Sequence, residues 1–537
     1  MMRFLPILFV LLFSVKTSAN SHEDFLQCLS HFSEVIYTPK NSSYSTILHS
    51  AIGNPRFNTR TVPKPLVIIT PRNVSHIQTA ITCSEKHGMQ IRVRSGGHDY
   101  EGLSYLSWML PFVVIDLFNL RTVTVDASDS TAWVEAGATI GEVYYGIAEK
   151  SRTLAFPAGL CPSVGVGGHF SGGGYGMTLR KHGLSLDHIV DAHLIDVNGR
   201  ILDRNSMGED LFWAIRGGGG NTFGVVIAWK LSLVQVPPSV TVFEVARNSL
   251  EQNVTRLVHR WQYAISKFPR EFSFKVYIAR ANSSDQQGKT AIETKFSSMF
   301  LGEVDKLLPM MQKTFPELGL MREDCIEMTW IESVLYFYGF PWNGSLDVLL
   351  NRTSRLPSFK GKSDYVKQPM PEIAWEGIWR RMNLVDVRRS QLQLTAYGGI
   401  MNEISESSTP FPHRAGTLFQ IQYAVVCNGD DDLKASDQWH TNWIRKLYSY
   451  MAAYASKNPR GAYVNYRDLD LGVNNLHGTT SYRQASIWGK KYFGNNFDRL
   501  VRVKTEVDPT NFFRNEQSVP PYHQYLSNIE GRATYDS

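Results

Sequence analysis

Two fingerprints that commonly mark a nucleotide site are missing from this chain. It has neither the G-x-G-x-x-G of a dinucleotide-binding β-α-β unit nor the G-x-x-x-x-G-K-[ST] of a phosphate loop, so ordinary NAD and ATP cradles lose support. Charge of one sign is also scarce. A net charge of +6 dispersed over 537 residues gives nucleic acid or an anionic membrane no landing stripe. No stretch approaches the roughly 20 apolar residues of a membrane span. The apolar run from Phe4 to Val15, after Arg3 and before Ser18 and Ala19, has the pattern of a secretory signal peptide over residues 1–19. Internal repeats and low-complexity tracts are absent. Cysteine is limited to Cys28, Cys83, Cys161, Cys325 and Cys427. In an oxidising compartment an odd count leaves at least one thiol outside any disulfide, and that thiol calls for a chemical explanation.

What is present fits a secreted globular protein. Apolar residues make up 43% and charged residues 19%, the balance of a folded chain. The length exceeds what one core usually serves, so two interwoven domains with room for a large cofactor are expected. Six Asn-x-Ser/Thr triplets, at Asn41, Asn73, Asn253, Asn282, Asn343 and Asn351, would accept glycans during secretion.

Along the chain, PLVIIT (65–70) reads as a strand and VSHIQTAITCSEKHG (74–88) as an amphipathic helix ending at glycine. IRVRSGGHDY (91–100) is an alternating strand entering a glycine loop, and FVVIDLFNL (112–120) and TAWVEAGA (131–138) are further strands. A helix follows from Thr139, its N-cap, to Lys150. Two prolines in VQVPPSV (234–240) mark a boundary. Beyond it, helical and strand patterns alternate up to about residue 480, as in an antiparallel sheet covered by helices. A tail from Tyr482 returns to the first domain. The fold class is α+β.

Gly96, Gly97, Gly102, Gly165, Gly167, Gly168, Gly172, Gly173, Gly174 and Gly176 crowd two segments. Glycine lets backbone approach a ligand and aim N–H groups at phosphate oxygens, so a pyrophosphate is the natural guest. Two decoys are set aside. His188, Asp191 and His193 lie in a strand pattern that sends the histidines to opposite faces, not to one metal. Asp430, Asp431 and Asp432 read as a solvated turn. No metal is expected.

The segments RSGGHDYEG (94–102) and CPSVGVGGHFSGGGYG (161–176) resemble the flavin-attachment segments of the berberine bridge enzyme-like family, plant FAD-linked oxidases of the vanillyl-alcohol-oxidase type. AIRGGGGNTFGVV, PFPHRAG, YVNYRDLDLG (463–472) and DPTNFFRNEQSVPP extend the resemblance over nearly the whole mature chain. It implies a two-subdomain PCMH-type FAD-binding domain over 20–237, a substrate-binding domain over 238–480, and a segment over 481–537 returning to the FAD domain. It also implies FAD bonded through the 8α position to His98 and through C6 to Cys161. Arg94, Ser95, Asp99, Ser163, Val164, His169 and Val226 would complete the cradle, and Cys28 would pair with Cys83. Cys325 and Cys427 either pair with each other or lie buried and inert.

Imidazole nitrogen and thiolate are nucleophiles able to add to an activated flavin ring. Two bonds would withdraw electron density from the ring and favour hydride acceptance. Tyr466 matches the family's catalytic tyrosine, with Gln422, Tyr175 and Tyr100 around it. A free tyrosine has a pKa of about 10, so Tyr466 serves as base only if its phenolate is stabilised. The family often supplies a lysine from the strand FKIQY, where this chain reads FQIQY with Gln420. Val164 falls where bulkier side chains restrict oxygen in the family this chain resembles, so the resemblance implies an oxidase making hydrogen peroxide. The expected partners are a small-molecule substrate and dioxygen, acting on a monomer in the extracellular space, cell wall or vacuole. The substrate is expected to be a specialised metabolite, such as a prenylated phenol or alkaloid that cyclises on oxidation. The alternatives are a carbohydrate or monolignol oxidase and a non-redox cyclase of the Diels–Alder type.

Overall fold

A computed structural model of the chain describes residues 22–522, apart from 110, 250–252, 283–288, 354–355, 387–388 and 428–433. The signal-peptide reading and the aspartate run at 430–432 therefore fall outside the described residues.

The first half holds two sheets. Strands β1 (Ile36–Tyr37), β2 (Val67–Ile69), β3 (Gln90–Arg94) and β4 (Phe112–Asp116) form a four-stranded sheet in the order β1-β2-β4-β3, with β4 parallel to β2 and β3. The parallel strands follow from the helix α1 (Val74–Lys86), which carries the chain from β2 across to β3. All five residues of β3 are buried. The expected alternation is thus absent, because both faces of a parallel strand are covered. Asn73 caps α1, accepting from the His76 N–H, and Cys83 on α1 joins Cys28 in a disulfide.

The second sheet has five strands: β5 (Val123–Asp126), β6 (Thr131–Glu135), β8 (Ile189–Ile195), β9 (Ile201–Leu202) and β10 (Val225–Ser232), ordered β5-β6-β10-β8-β9. A two-stranded ladder joins β7 (Leu154–Ala155) to β11 (Val234–Gln235). Helix α2 (Ile140–Ala148) begins with the expected Thr139 cap, reciprocated by Glu142 in a capping box. Helix α3 (Val166–Gly172) follows the Cys161 loop, and α4 (Arg204–Ile215) follows β9. His193 lies on β8 and stacks on Trp133, while His188 precedes the strand in a 3-10 turn. Among the described residues no group of three His, Cys, Asp or Glu could hold a metal ion.

The second half is a seven-stranded sheet built from β12 (Val240–Asn248), β13 (Phe272–Asn282), β14 (Thr290–Phe300), β15 (Cys325–Met328), β16 (Phe359–Val366), β17 (Ser390–Ala396) and β18 (Phe419–Val426). Its order is β15-β12-β14-β13-β17-β18-β16, antiparallel throughout. Helices α5 (Val254–Ala264), α6 (Val304–Thr314), α7 (Glu372–Met382) and α8 (Lys434–Met451) share one apolar core with this sheet, to which Phe274, Val276, Ile278, Leu392, Leu394, Ile421 and Tyr423 contribute. Strand alternation then turns Lys275, Tyr277, Gln393, Thr395, Gln420 and Gln422 to the opposite face.

Helices α9 (Tyr482–Phe493) and α10 (Phe497–Val507) come back to the first half, where Lys504 on α10 donates to the Thr222 carbonyl at 2.6 Å. The return starts well before residue 481: Tyr463 and Asn465 already contact the loop after α3 and His169. Cys325 opens β15, half-exposed, Cys427 is buried beyond β18, and no disulfide joins them. All six glycan-acceptor asparagines are exposed. No helix among the described residues is long and apolar enough to cross a membrane.

Candidate active site

The site assembles where the loop after β3, the loop before α3, the 463–472 segment and the polar face of the large sheet converge. Its first two loops are locked by backbone contact. A Cβ on Gly96 would sit 2.2 Å from the Gly165 nitrogen, and one on Gly165 would sit 2.1 Å from the Gly96 nitrogen. Any side chain at either position pushes the loops apart. Gly97, Gly102, Gly167, Gly172, Gly173, Gly174 and Gly176 likewise face protein atoms nearer than 3.0 Å to an added Cβ. These glycines serve chain packing first. Gly168 is different: exposed, with nothing within 4 Å of its Cβ position, it leaves open space of the kind a cofactor backbone contact needs.

Polar side chains tighten the same junction. Ser95 Oγ donates to the Ala136 carbonyl at 2.6 Å and accepts from the Gly167 N–H at 3.3 Å. Arg94 is fully buried with its guanidinium committed to Asp116 at 2.6 Å and to the carbonyls of Ile47 and Leu48. It holds the loop from behind, and its charge is already matched. Asp99 caps the turn through the N–H groups of Glu101 and Leu103, and its other oxygen meets Arg467 Nε at 3.0 Å. Val226 on β10 is buried, and Val164 is half-buried beside the Cys161 loop.

On these loops stand the two candidate nucleophiles. His98 Nε2 lies 3.1 Å from Ser163 Oγ, which fixes the ring, and burial pulls its pKa from 6.5 to about 4. The imidazole is therefore neutral, with a nitrogen lone pair available. The Cys161 thiol is exposed. Surrounding protein raises its pKa, while Lys275 opposes the rise. His169 accepts the Gly159 N–H at 3.0 Å and is likewise held neutral by burial, with a pKa of about 4. An accessible thiol, a neutral imidazole and an open glycine within one loop pair fit a covalently held flavin.

Facing them is a tyrosine cluster. Tyr466 and Tyr175 share a hydrogen bond between their hydroxyls. Tyr100 stacks on Tyr466, centroids 5.2 Å apart, and its hydroxyl accepts from Gln422 Nε2. Burial holds Tyr466, Tyr175 and Tyr100 well above the usual phenol pKa. Gln420 reaches none of them: its amide donates to Tyr365 at 3.2 Å.

Side chains not singled out in the sequence complete the cluster. Tyr463 accepts from the Gly174 N–H at 2.8 Å and from Asn465, whose amide also donates to the His169 carbonyl. Asp468 is buried between Lys360, at 2.7 Å, and Lys362, at 2.6 Å, which clamps the Tyr466 segment to β16. Lys275 on β13 is 3% exposed, with its ammonium nitrogen 5.4 Å from the Tyr175 ring centroid. Tyr463 and Asn465 could have been suspected from their place in YVNYRD. Lys275 had no motif to announce it.

Comparison with known proteins agrees with this geometry. A family model described as "FAD binding domain" matches residues 65–205, and one described as "Berberine and berberine like" matches residues 462–520. The chain is 49% identical to berberine bridge enzyme-like 28 of Arabidopsis thaliana, over 97% of this chain and 99% of that one. It is 50% identical to a tetrahydroberberine oxidase of Berberis wilsoniae, over 95% and 96% respectively. The solved structure of the Arabidopsis protein superposes with a TM-score of 0.88, covering 93% of this chain and 100% of that one. The grass pollen allergen Phl p 4, described as having glucose dehydrogenase activity, is 43% identical with a TM-score of 0.86, over 93% and 99%. A variant of it with valine in place of an isoleucine is described as a glucose oxidase.

Proposed function

The chain belongs to the berberine bridge enzyme-like family of FAD-linked oxidoreductases, and from that premise we propose a secreted oxidase whose FAD is bonded at both His98 and Cys161. Its substrate is a small specialised metabolite, with a prenylated phenol or alkaloid first among the candidates. The single observation carrying this reading is the loop pair locked at Gly96 and Gly165, which presents an exposed thiol and a neutral imidazole together.

Bound FAD supplies a hydride acceptor that dioxygen can reoxidise, with release of hydrogen peroxide. The protein's own part is to orient and to move a proton. Tyr466 faces the substrate and receives its hydroxyl or ammonium proton, with Tyr175 hydrogen-bonded behind it. Tyr100 and Gln422 hold the reacting group by stacking and hydrogen bonding. Val164 leaves oxygen room to approach. In Phl p 4 an isoleucine-to-valine exchange separates a described dehydrogenase from a described oxidase, and a double variant there adds histidine five positions after the valine. Val164 and His169 have that same spacing.

Anaerobic mixing with a substrate should bleach the flavin, and air should restore its colour with release of peroxide. A screen of prenylated phenols, tetrahydroprotoberberine alkaloids, monolignols and sugars, read by peroxide, assigns the class. If no member bleaches the flavin, the redox role falls. A non-redox cyclase is the second reading, favoured by one observation: burial keeps Tyr175 and Tyr466 protonated while Gln420 brings no charge. Product mass decides, because oxidation removes two hydrogens and cycloaddition removes none.

A further inference from the structure

A tyrosine in a buried, uncharged surrounding is a poor base. Burial and neighbouring phenols hold Tyr466 and Tyr175 far above neutral pKa, so a lone phenolate there would be scarce at working pH. The sheet places a compensating group within reach. In cross-strand register, Gln420 neighbours Thr395, and Thr395 neighbours Lys275. The three residues thus form one row on the polar face, with Lys275 two strands, about 10 Å, from Gln420. From that position its side chain reaches over the Tyr175 ring. Thr395, between them, is near enough to the Tyr175 hydroxyl to lower its pKa.

We propose that Lys275 is a positioning residue for proton transfer: it shares one proton with the Tyr175–Tyr466 hydroxyl pair, so that a phenolate forms beside an ammonium and not alone. This rests on Tyr466 being the proton acceptor of the proposed oxidation. The step is an internal transfer. The hydroxyl pair gives up a proton and becomes a phenolate, the Lys275 amine takes it and becomes an ammonium, and no proton is gained from solvent. Substrate then protonates the phenolate as its hydride departs.

Two further observations support the sharing. Burial lowers the Lys275 pKa from 10.5 to about 8, the range in which a lysine exchanges its proton near working pH. The ionisable groups around the row are Cys161, Tyr175, Tyr277 and Tyr365, with Tyr100, Tyr463 and Tyr466 beyond them and Glu244 acting on Tyr277, and among the described residues no carboxylate pairs with Lys275. Cys161 is the one anion-forming group that favours the ammonium. Once its sulfur is bonded to flavin it carries no charge, and the tyrosine pair becomes the natural anion for a buried ammonium.

The test is a pH titration of the ultraviolet tyrosinate band in the holoenzyme, reading the signal lost in Tyr466→Phe. That signal should develop near pH 8, where Lys275 exchanges its proton. In Lys275→Met it should move up by about one pH unit or more, a tenfold loss of phenolate at a given pH. Lys275→Arg, which keeps the charge, should restore it. A merely structural lysine would move flavin content and melting temperature but not this titration. If the wild-type and Lys275→Met curves superimpose, the inference is overturned. It is equally overturned, with no variant at Lys275 needed, if the wild-type signal appears only above the ordinary tyrosine pKa. Either result leaves the assignment of Tyr466 standing. That assignment falls separately if Tyr466→Phe reduces its flavin as fast as wild type, and Lys275 then loses its role as well.

Discussion

The loops carrying His98 and Cys161 are fixed by backbone lying on backbone, whereas the sheet face opposite them is fixed by side chains that meet only because several strands are in register. The loop pair tolerates almost no added atom. Polar residues on the sheet can be exchanged without moving a strand. The proposed attachment and the proposed chemistry thus rest on structures of different stiffness, and substitutions should separate them.

The largest effect is expected on the chemical side. Tyr466→Phe removes the hydroxyl shared with Tyr175 and should slow anaerobic flavin reduction by about 10² to 10⁴, the usual contribution of a positioned proton acceptor. Flavin content should not change. A loss of flavin along with rate would show that the two regions are not separable.

Next comes Gly165→Ala in the loop. Its methyl would lie 2.1 Å from the Gly96 nitrogen, and relief by backbone movement should cost about 3 kcal/mol. Denaturant unfolding should register that loss together with incomplete flavin attachment.

A smaller effect concerns pH. His413 stacks on Tyr365 and donates to the Ala462 carbonyl, and burial lowers its pKa from 6.5 to about 3. A histidine depressed in the folded state takes up its proton on unfolding, so stability is full above pH 6.5 and falls as pH drops toward 3. His413→Asn should flatten that fall in melting temperature. An unchanged slope would place the acid sensitivity elsewhere, with His169 the next candidate.

Val164→Ile should have the smallest effect, slowing flavin reoxidation by air while leaving its reduction unchanged. Equal slowing of both would show that the side chain touches substrate, not oxygen.

How much of this was legible in the sequence follows the same division. The two glycine loops are contiguous segments, so candidate residues could be proposed from them in advance, while the Thr139 cap and the antiparallel sheet under helices could be named outright. The roles of individual loop residues were less legible. Arg94 stands beside the cradle, yet its charge is matched by Asp116, a partner 22 residues away. Strand β3 did not alternate because its second face is covered by elements distant in sequence. The return to the first half begins near Tyr463 because hydrogen bonds to Gly174 and His169 draw the chain back there. Lys275 was invisible for the same reason: its relation to Gln420 exists only in register, across strands separated by more than a hundred residues.

The central claim is that one flavin is tied to both loops, and peptide mass analysis of the denatured, protease-digested protein tests it most directly. The expected product is a single species in which FAD joins the peptide containing His98 to the peptide containing Cys161. FAD released entirely on denaturation, with both peptides at their unmodified masses, would contradict the account.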